Sequence, residues 1–361
     1  MKYPAVVPFG ELNHQLDQFD QIIDVRSPSE FDHDHIPGAI NCPVLTDQER
    51  IRVGTIYKQV NAFEAKKIGA ALVAKNIAMH IEEQFMGYPR EWKPLIYCWR
   101  GGNRSGAMAL ILAKIGWPVV QLDGGYKAFR NHINTELGQL IEQVHYKVIC
   151  GTTGSGKSRL LETLHAEGAQ VLDLEQLAMH RGSVLGDFAD TPQPSQKAFE
   201  SAIWQRLRSF DANKPVFIES ESKKIGNLRV PPDLIQRIRQ SPCINLQLPI
   251  DLRVALLLQD YVHFLEQPQE LMRRLGYLTP LHGNEKLRYW QNLSEQNLLV
   301  DLVHDLIATH YDPSYLRSIN QNFPQLSSAP ITNLSGIEPH DFLHLAQQLM
   351  TQEAREAGMT I

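Results

Sequence analysis

A cysteine, Cys98, stands in the segment LIYCWRGGNRSGAM between an apolar run and the small residues that begin a helix. Guanidinium groups and a helix N-terminus favour a thiolate over a thiol, so this thiol is predicted to be a nucleophile. The two glycines are expected to adopt positive φ and let the loop curl around an incoming anion. The residues predicted to bind the donor anion are Arg100, Gly101, Gly102, Asn103 and Arg104.

A second motif, GTTGSGKS at 151–158, matches G-x-x-x-x-G-K-[ST] and follows the apolar run YKVIC, the strand context that a P-loop requires. In such a loop the backbone N–H groups bind phosphate, the lysine neutralises it and the last hydroxyl can hold Mg²⁺. No firmly bound cofactor and no resident metal site are predicted. The predicted phosphate-binding residues are Gly151, Thr153, Gly154, Ser155, Gly156, Lys157 and Ser158.

Two carboxylates are candidates for the acidic residue that ends a strand beside a nucleotide-binding P-loop. They are Asp173 in QVLDLE and Glu219 in PVFIESES. No motif for adenine or guanine is recognised, so the ligand stays open between a nucleotide, another diphosphate and a phosphate donor.

Strands that alternate with helices must position both motifs, which predicts an α/β protein with parallel sheets. Strands are predicted at 21–26, 94–98 and 118–122, and helical structure between about 47 and 90. A parallel-sheet domain is predicted over 1–140. A P-loop NTPase-like α/β domain with a helical C-terminal part follows over 145–361.

Composition excludes several classes of protein. The net charge of −5 leaves contact with nucleic acid to local basic patches. The four cysteines form no C-x-x-C pair, which argues against a disulfide framework or a zinc site and favours a reducing compartment. The N-terminus does not resemble a secretory signal, and no apolar run approaches about 18 residues. A cytoplasmic protein without a membrane segment is therefore expected.

Residues 10–135 resemble a rhodanese domain, on IIDVRSPSEFDHDHIPGAINCPV, the Cys98 loop and LDGGYKAF. The spacing from Cys98 to Arg104 is C-x₅-R, which is longer than in common sulfurtransferase rhodaneses and similar to rhodanese-like dual-specificity phosphatases. A cysteine phosphatase therefore stays an alternative. A P-loop kinase or NTPase, with the first domain as a binding module, is a second alternative.

Further segments resemble the tRNA 2-selenouridine synthase family over nearly the whole chain: VGTIYKQVNAFEAKKIGAALV, LDLEQLAMHRGSVLG, PSQKAFES, FIESESKKIGNLRVP and YDPSY. The resemblance implies a transferase that replaces sulfur by selenium in 2-thiouridine at the wobble position of tRNA. It implies S-geranylation with geranyl diphosphate, then selenation with selenophosphate. It also implies that Cys98 carries selenium as a selanyl-sulfide and that the P-loop holds a diphosphate or phosphate.

Other polar residues have weaker signals. The run Asp32–His35 is expected to be a solvated loop rather than a metal site. Candidate contacts to tRNA or diphosphate, for which a plain solvated surface is an equal alternative, are His180, Arg181, Lys223 and Lys224. Basic pairs at 273–274 and 286–288 would also suit RNA phosphates. The choice of tRNA, any need for Mg²⁺, how the two loops share a substrate and the oligomeric state stay open.

Overall fold

The computed structural model describes residues 3–183, 185–186, 191–262 and 268–356. The chain divides into two compact units, Met1–Leu137 and Gly138–Ile361. The division falls within the helix Gly125–Gln143, close to the change of domain predicted at 140–145.

The first unit is built on a five-stranded sheet in which every paired strand is parallel to its neighbour. The spatial order is β1-β5-β4-β2-β3. The predicted strands at 21–26, 94–98 and 118–122 are confirmed as β2, β4 and β5, with β4 fully buried. The strands are β1 (Ala5–Pro8), β2 (Gln21–Asp24), β3 (Ala39–Asn41), β4 (Pro94–Tyr97) and β5 (Val120–Asp123).

Helices pack around this sheet, and the helical structure predicted between 47 and 90 is confirmed. The helix after the Cys98 loop buries Met108, Ala109 and Leu112 in the core, and it ends at Gly116, whose φ of +128° suits a residue without Cβ. The helices are α1 (Phe9–Leu12), α2 (Pro28–His33), α3 (Asp47–Gln59), α4 (Ala62–His80, continued by a π-turn at Ile81–Phe85), α5 (Asn103–Ile115) and α6 (Gly125–Gln143).

The expectation of a solvated loop at Asp32–His35 is wrong in part: Asp32 and His33 are exposed, but the run is not a loop throughout and Asp34 is buried. The helix α2 begins in a capping box between Ser27 and Glu30, so part of the run is helical. Asp34 is buried and accepts a hydrogen bond of 2.7 Å from the hydroxyl of Tyr126, and Arg130 approaches it to 3.7 Å. The charge of this aspartate is therefore compensated inside the unit.

The second unit has a five-stranded sheet that is also parallel throughout. Its order, β12-β11-β6-β8-β7, places the strand before the P-loop in the centre. The predicted strands YKVIC, QVLDL and PVFIES are confirmed as β6, β7 and β8. The strands are β6 (Tyr146–Cys150), β7 (Gln170–Leu172), β8 (Val216–Glu219), β11 (Cys243–Gln247) and β12 (Ile331–Asn333), and a short hairpin is formed by β9 (Lys224–Ile225) and β10 (Leu228–Arg229).

The helical C-terminal part is confirmed. Its last helix packs Phe342, Leu345 and Ala346 into the core of the sheet, while a separate cluster around Trp290 joins the helices before it. The helices of this unit are α7 (Lys157–Ala166), α8 (Leu174–Ala178), α9 (Gln196–Arg208), α10 (Pro232–Arg239), α11 (Ile250–Asp260), α12 (Pro268–Leu275), α13 (Thr279–Glu295), α14 (Leu299–Leu306), α15 (Asp312–Asn322) and α16 (Pro339–Glu356).

Candidate functional sites

Cys98 follows the buried strand β4, so its loop lies at the carboxyl edge of a parallel sheet, where α/β proteins bind ligands. The loop leads into α5, which begins at Asn103. The residue is 4% exposed, and its Sγ lies 3.4 Å from the Ser105 hydroxyl, which donates to it. Reactive thiols need solvent access, and this burial limits the access of a donor to the sulfur.

Two glycines at this loop have a positive φ; the sequence predicted it for one of them and not for the other. Gly102 has φ +73°, as predicted, and a Cβ there would lie 2.8 Å from Nε2 of Gln121. The same prediction for Gly101 is wrong, since its φ is not positive and no heavy atom lies near the place of a Cβ. Gly125 has φ +56°, and a Cβ there would overlap the Cys98 carbonyl oxygen, so the LDGGY motif lets α6 begin against the loop.

The first turn of α6 also holds the loop through its backbone. The amides of Tyr126 and Lys127 donate to the carbonyls of Cys98 and Trp99 over 2.8 and 3.0 Å. These bonds fix the start of the loop.

The two arginines of the loop have different surroundings. Arg100 is exposed, whereas Arg104 donates to Glu30 over 2.8 Å. Burial raises the pKa of Glu30, but hydrogen bonding to Arg104 and its charge outweigh that effect and lower the pKa. An anion in the loop would therefore compete with a carboxylate for Arg104.

The P-loop has the strand and helix context that the motif predicts: it joins β6 to α7. Gly154 and Gly156 have φ of +78° and +86°, and a Cβ at Gly156 would lie 2.7 Å from the ring of Phe342. Lys157 donates from Nζ to the Gly151 carbonyl over 2.8 Å. The loop and this lysine line a cavity of about 930 Å³.

One amide of the P-loop makes a hydrogen bond within the loop, and the two serine hydroxyls of the loop differ in their surroundings. The N–H of Ser155 donates to the Thr152 carbonyl over 3.1 Å, so that amide is engaged within the loop. Within the described residues the Ser155 Oγ has no hydrogen-bond partner although it is buried, and it lies in the lining of the cavity. Ser158 donates from Oγ to Glu175 over 3.3 Å.

Two residues that the motif did not predict make hydrogen bonds to the backbone of the P-loop. Arg253 of α11 donates from Nε and Nη2 to the Thr153 carbonyl over 2.9 and 2.7 Å, and it also pairs with Asp312 at 2.6 Å. The Tyr315 hydroxyl accepts from the amide of Gly151 over 2.8 Å. Tyr315 stands in the YDPSY segment, but only the folded chain gives it a partner in the P-loop.

Three carboxylates face the P-loop, and only one of them was predicted. In the described part of the chain, oxygens of Glu175, Glu219 and Glu221 lie within 4.8 Å of one another. All three line the P-loop cavity. Asp173 lines the cavity too, but its carboxylate caps α8 by accepting from the Gln176 amide over 2.8 Å. The nearness of Glu221 to Glu219 in the segment ESES was the signal for it, although β8 ends at Glu219 and Glu221 lies in the loop that follows.

Burial and repulsion by acidic neighbours raise the pKa values of Glu175, Glu219 and Glu221, which we call the acidic cluster. Burial, with the charge of Glu221, raises the pKa of Glu175 to about 8, against the opposing charge of Lys157. Burial raises the pKa of Glu221 to about 7. Glu219 is 1% exposed, and burial and its acidic neighbours raise its pKa well above the usual value. The cluster therefore retains protons near neutral pH.

The acidic cluster fits a hard divalent cation. Its donors are carboxylate oxygens with the Ser158 hydroxyl beside them, the ligand type of Mg²⁺. Within the described residues, Oε1 of Glu219 is buried without a hydrogen-bond partner, as expected of a ligand atom without its ion. Glu175, Glu219 and Glu221 would hold Mg²⁺ here, which would supply positive charge to a bound phosphate.

The other predicted basic residues lie in different places. Arg181 lines the P-loop cavity and stacks on Tyr261 at 4.9 Å. His180 is buried and accepts from the Gly182 amide, so it is not part of a solvated surface. Lys223 and Lys224 are exposed and line another cavity, which shares Arg239 and Asn322 with the lining of the P-loop cavity.

The basic pairs of the C-terminal part are balanced in part by acids of the C-terminal helices. Arg273 and Arg274 both pair with Glu270, at 2.6 and 2.7 Å, and Lys286 pairs with Asp305. This balance weakens the field that these pairs would offer to RNA phosphates. Among the described residues, no helix combines the length and apolar character needed to cross a bilayer.

Comparisons with known proteins match both units. Residues 9–132 match the model of the rhodanese-like domain, and residues 144–277 match the model of the tRNA 2-selenouridine synthase AAA domain. The chain is 31% identical to the tRNA 2-selenouridine synthase of Alcanivorax borkumensis over 326 residues, 81% of this chain and 88% of that protein. It is 34% identical to that of Hydrogenovibrio crunogenus over 335 residues, 83% of this chain and 91% of that protein.

A third relative matches over a shorter part. The tRNA 2-selenouridine synthase of Nitrosomonas europaea is 36% identical over 245 residues, which are 67% of this chain. The match spans 63% of the length of that protein.

Proposed function

The chain belongs to the tRNA 2-selenouridine synthase family, and from this premise we propose that it is a transferase that replaces sulfur by selenium in tRNA. Its substrate would be 2-thiouridine at the wobble position. Geranyl diphosphate and selenophosphate would be the co-substrates. The names of the relatives support the overall reaction, and the two loops would supply a site for each of its halves.

The observation that carries the proposal is the P-loop cavity, with Lys157 on one wall and the acidic cluster on another. In the first half-reaction the uridine sulfur attacks the first carbon of geranyl diphosphate. The carbon–oxygen bond breaks and diphosphate leaves with the bonding electrons. Lys157 and the loop amides would stabilise the negative charge that develops on this leaving group.

In the second half-reaction selenium replaces the geranylated sulfur. A selenium nucleophile adds at C2 of the base, the C2–S bond breaks, and the geranyl thiolate leaves with its electrons. Alkylation makes this step feasible because a thiolate is a better leaving group than sulfide. Selenophosphate would supply this nucleophile: its selenium adds at C2, and water then cleaves the selenium–phosphorus bond so that phosphate leaves. Cys98 would position the selenium donor in its loop, and the exposed Arg100 would attract the selenophosphate anion.

The test is a reconstitution. Purified protein is incubated with thiolated tRNA, geranyl diphosphate and selenophosphate, and the nucleosides are analysed by mass. Native protein should yield 2-selenouridine, and unchanged 2-thiouridine would overturn the proposal. Lys157→Ala should leave 2-thiouridine, whereas Lys214→Ala, an exposed lysine that does not line the cavity, should behave as native protein.

The role of Cys98 in selenium transfer is tested by a separate variant. Cys98→Ser should accumulate S-geranyl-2-thiouridine without 2-selenouridine. Cys42→Ser is the matched control, because Cys42 is buried in the same unit. Hydrolysis of ATP or GTP that does not depend on tRNA and survives in Cys98→Ala would instead support an NTPase.

A further inference from the structure

A second cavity adjoins the P-loop cavity and differs from it in chemistry. The two cavities share five lining residues: Thr153, Ser183, Leu257, Tyr261 and Tyr311. The rest of the described lining consists of leucine, isoleucine and valine side chains, half of them from α14. We call this space the leucine cavity; its volume is about 70 Å³.

We propose that the leucine cavity binds the hydrocarbon end of a prenyl diphosphate whose phosphates lie in the P-loop. The inference rests on the proposed function and adds the subsite that recognises the chain. Its basis is the juxtaposition of a phosphate-binding loop with an apolar cavity across shared residues. A ligand that fills both spaces must join a phosphate group to a hydrocarbon.

The lining disfavours water as the occupant. A buried water needs two to four polar partners. At the shared boundary the Thr153 carbonyl already accepts two bonds from Arg253. Further in, Leu302 and Leu306 are 1% and 4% exposed and belong to the core cluster around Trp290. An apolar chain satisfies such walls, and each methylene buried there would strengthen binding roughly fourfold.

The size of the leucine cavity limits the chain. Its volume of about 70 Å³ is smaller than the cavity of roughly 150 Å³ that accepts benzene in an engineered protein core. It therefore has room for the branched end of a prenyl chain. The preceding carbons would lie along Leu257, Tyr261 and Tyr311, which face both cavities. The subsite thus favours a short chain over a fifteen-carbon one.

Val303 offers a test that changes the cavity without emptying the core. Its side chain is half-buried on α14 and lines the leucine cavity. Val303→Phe would fill the space, and Val303→Ala would enlarge it. Val300→Phe is the matched control, since Val300 lies in the same helix and is 60% exposed.

The experiment measures Kd by calorimetry for inorganic diphosphate and for dimethylallyl, geranyl and farnesyl diphosphate. Native protein should bind geranyl diphosphate at least tenfold more tightly than inorganic diphosphate. Val303→Phe should lose this difference while its Kd for inorganic diphosphate is unchanged. Val303→Ala should favour farnesyl relative to geranyl diphosphate by several fold. The control Val300→Phe should match native protein.

Two results would overturn the inference: a full geranyl preference in Val303→Phe, or an equal loss of that preference in Val300→Phe. Alkylation of thiolated tRNA is measured in parallel on the same proteins. If native protein alkylates tRNA but the Val303 variants keep the native chain preference, the subsite is wrong and the proposed function stands. If native protein binds prenyl chains selectively but never alkylates tRNA, the proposed function fails and the subsite stands.

Discussion

Replacing Glu175 and Glu221 by glutamine should remove a loss of stability that the native chain suffers as the pH rises. Burial raises the pKa of Glu175 to about 8 and that of Glu221 to about 7. In an unfolded chain both carboxyls would titrate near 4.3. The folded state therefore keeps protons that the unfolded state releases.

The sign and size of the effect follow from proton linkage. Where the folded state binds more protons than the unfolded state, the free energy of unfolding falls as the pH rises. For these two carboxyls the fall extends from about pH 4.5 to their pKa values in the folded state, about 7 for Glu221 and about 8 for Glu175. Each extra proton contributes a slope of about 1.4 kcal/mol per pH unit. Since the carboxyls interact, one to two protons are involved, and native protein should lose about 1–3 kcal/mol more than the double variant between pH 5.5 and 6.5.

The assay is urea unfolding of native protein and of Glu175→Gln/Glu221→Gln at several pH values across this range. Subtracting the two curves cancels the titration of the histidines, which both proteins share. Glu295→Gln, an exposed glutamate of α13, controls for the loss of an acid elsewhere in the unit. Parallel pH dependence in native protein and the double variant would refute the reasoning.

Three further predictions concern the two loops. Millimolar Mg²⁺ at pH 7.5 should raise the Tm of native protein and leave that of the acidic double variant unchanged; equal shifts would contradict a site at the acidic cluster. Gly125→Ala should destabilise the first unit by about 2 kcal/mol or more and abolish selenation, because its Cβ overlaps the Cys98 carbonyl. Gly54→Ala, with open space around its Cβ, should stay stable in the same thermal and activity assays. Arg253→Met should cost about 1–3 kcal/mol, since it leaves the half-buried Asp312 and the Thr153 carbonyl without their donor, and calorimetry should show weaker binding of diphosphate. Native affinity in that variant would show that the Thr153 contact does not shape the loop.

Local patterns were sufficient to predict both loops. A buried strand, a glycine-rich turn and a helix start are consecutive in sequence, so PLIYC and YKVIC indicated where Cys98 and the P-loop would lie. The strand β12 shows the opposite case. It is three residues long with two of them exposed, and it joins the sheet only by pairing with β11, more than eighty residues earlier. Neither its length nor its pattern distinguishes it from a loop.

The sequence alone determined the chemistry available to this protein: a thiol in a glycine and arginine loop, and a lysine in a phosphate loop, each at the end of a strand. The tertiary structure decided how those groups are set. It buried Cys98, engaged Arg104 with Glu30, and gathered Glu175, Glu219 and Glu221 around the phosphate loop. The physical reason is range: strand and turn preferences act between neighbours in the chain, whereas burial, charge pairing and cavity shape depend on residues brought together from distant segments.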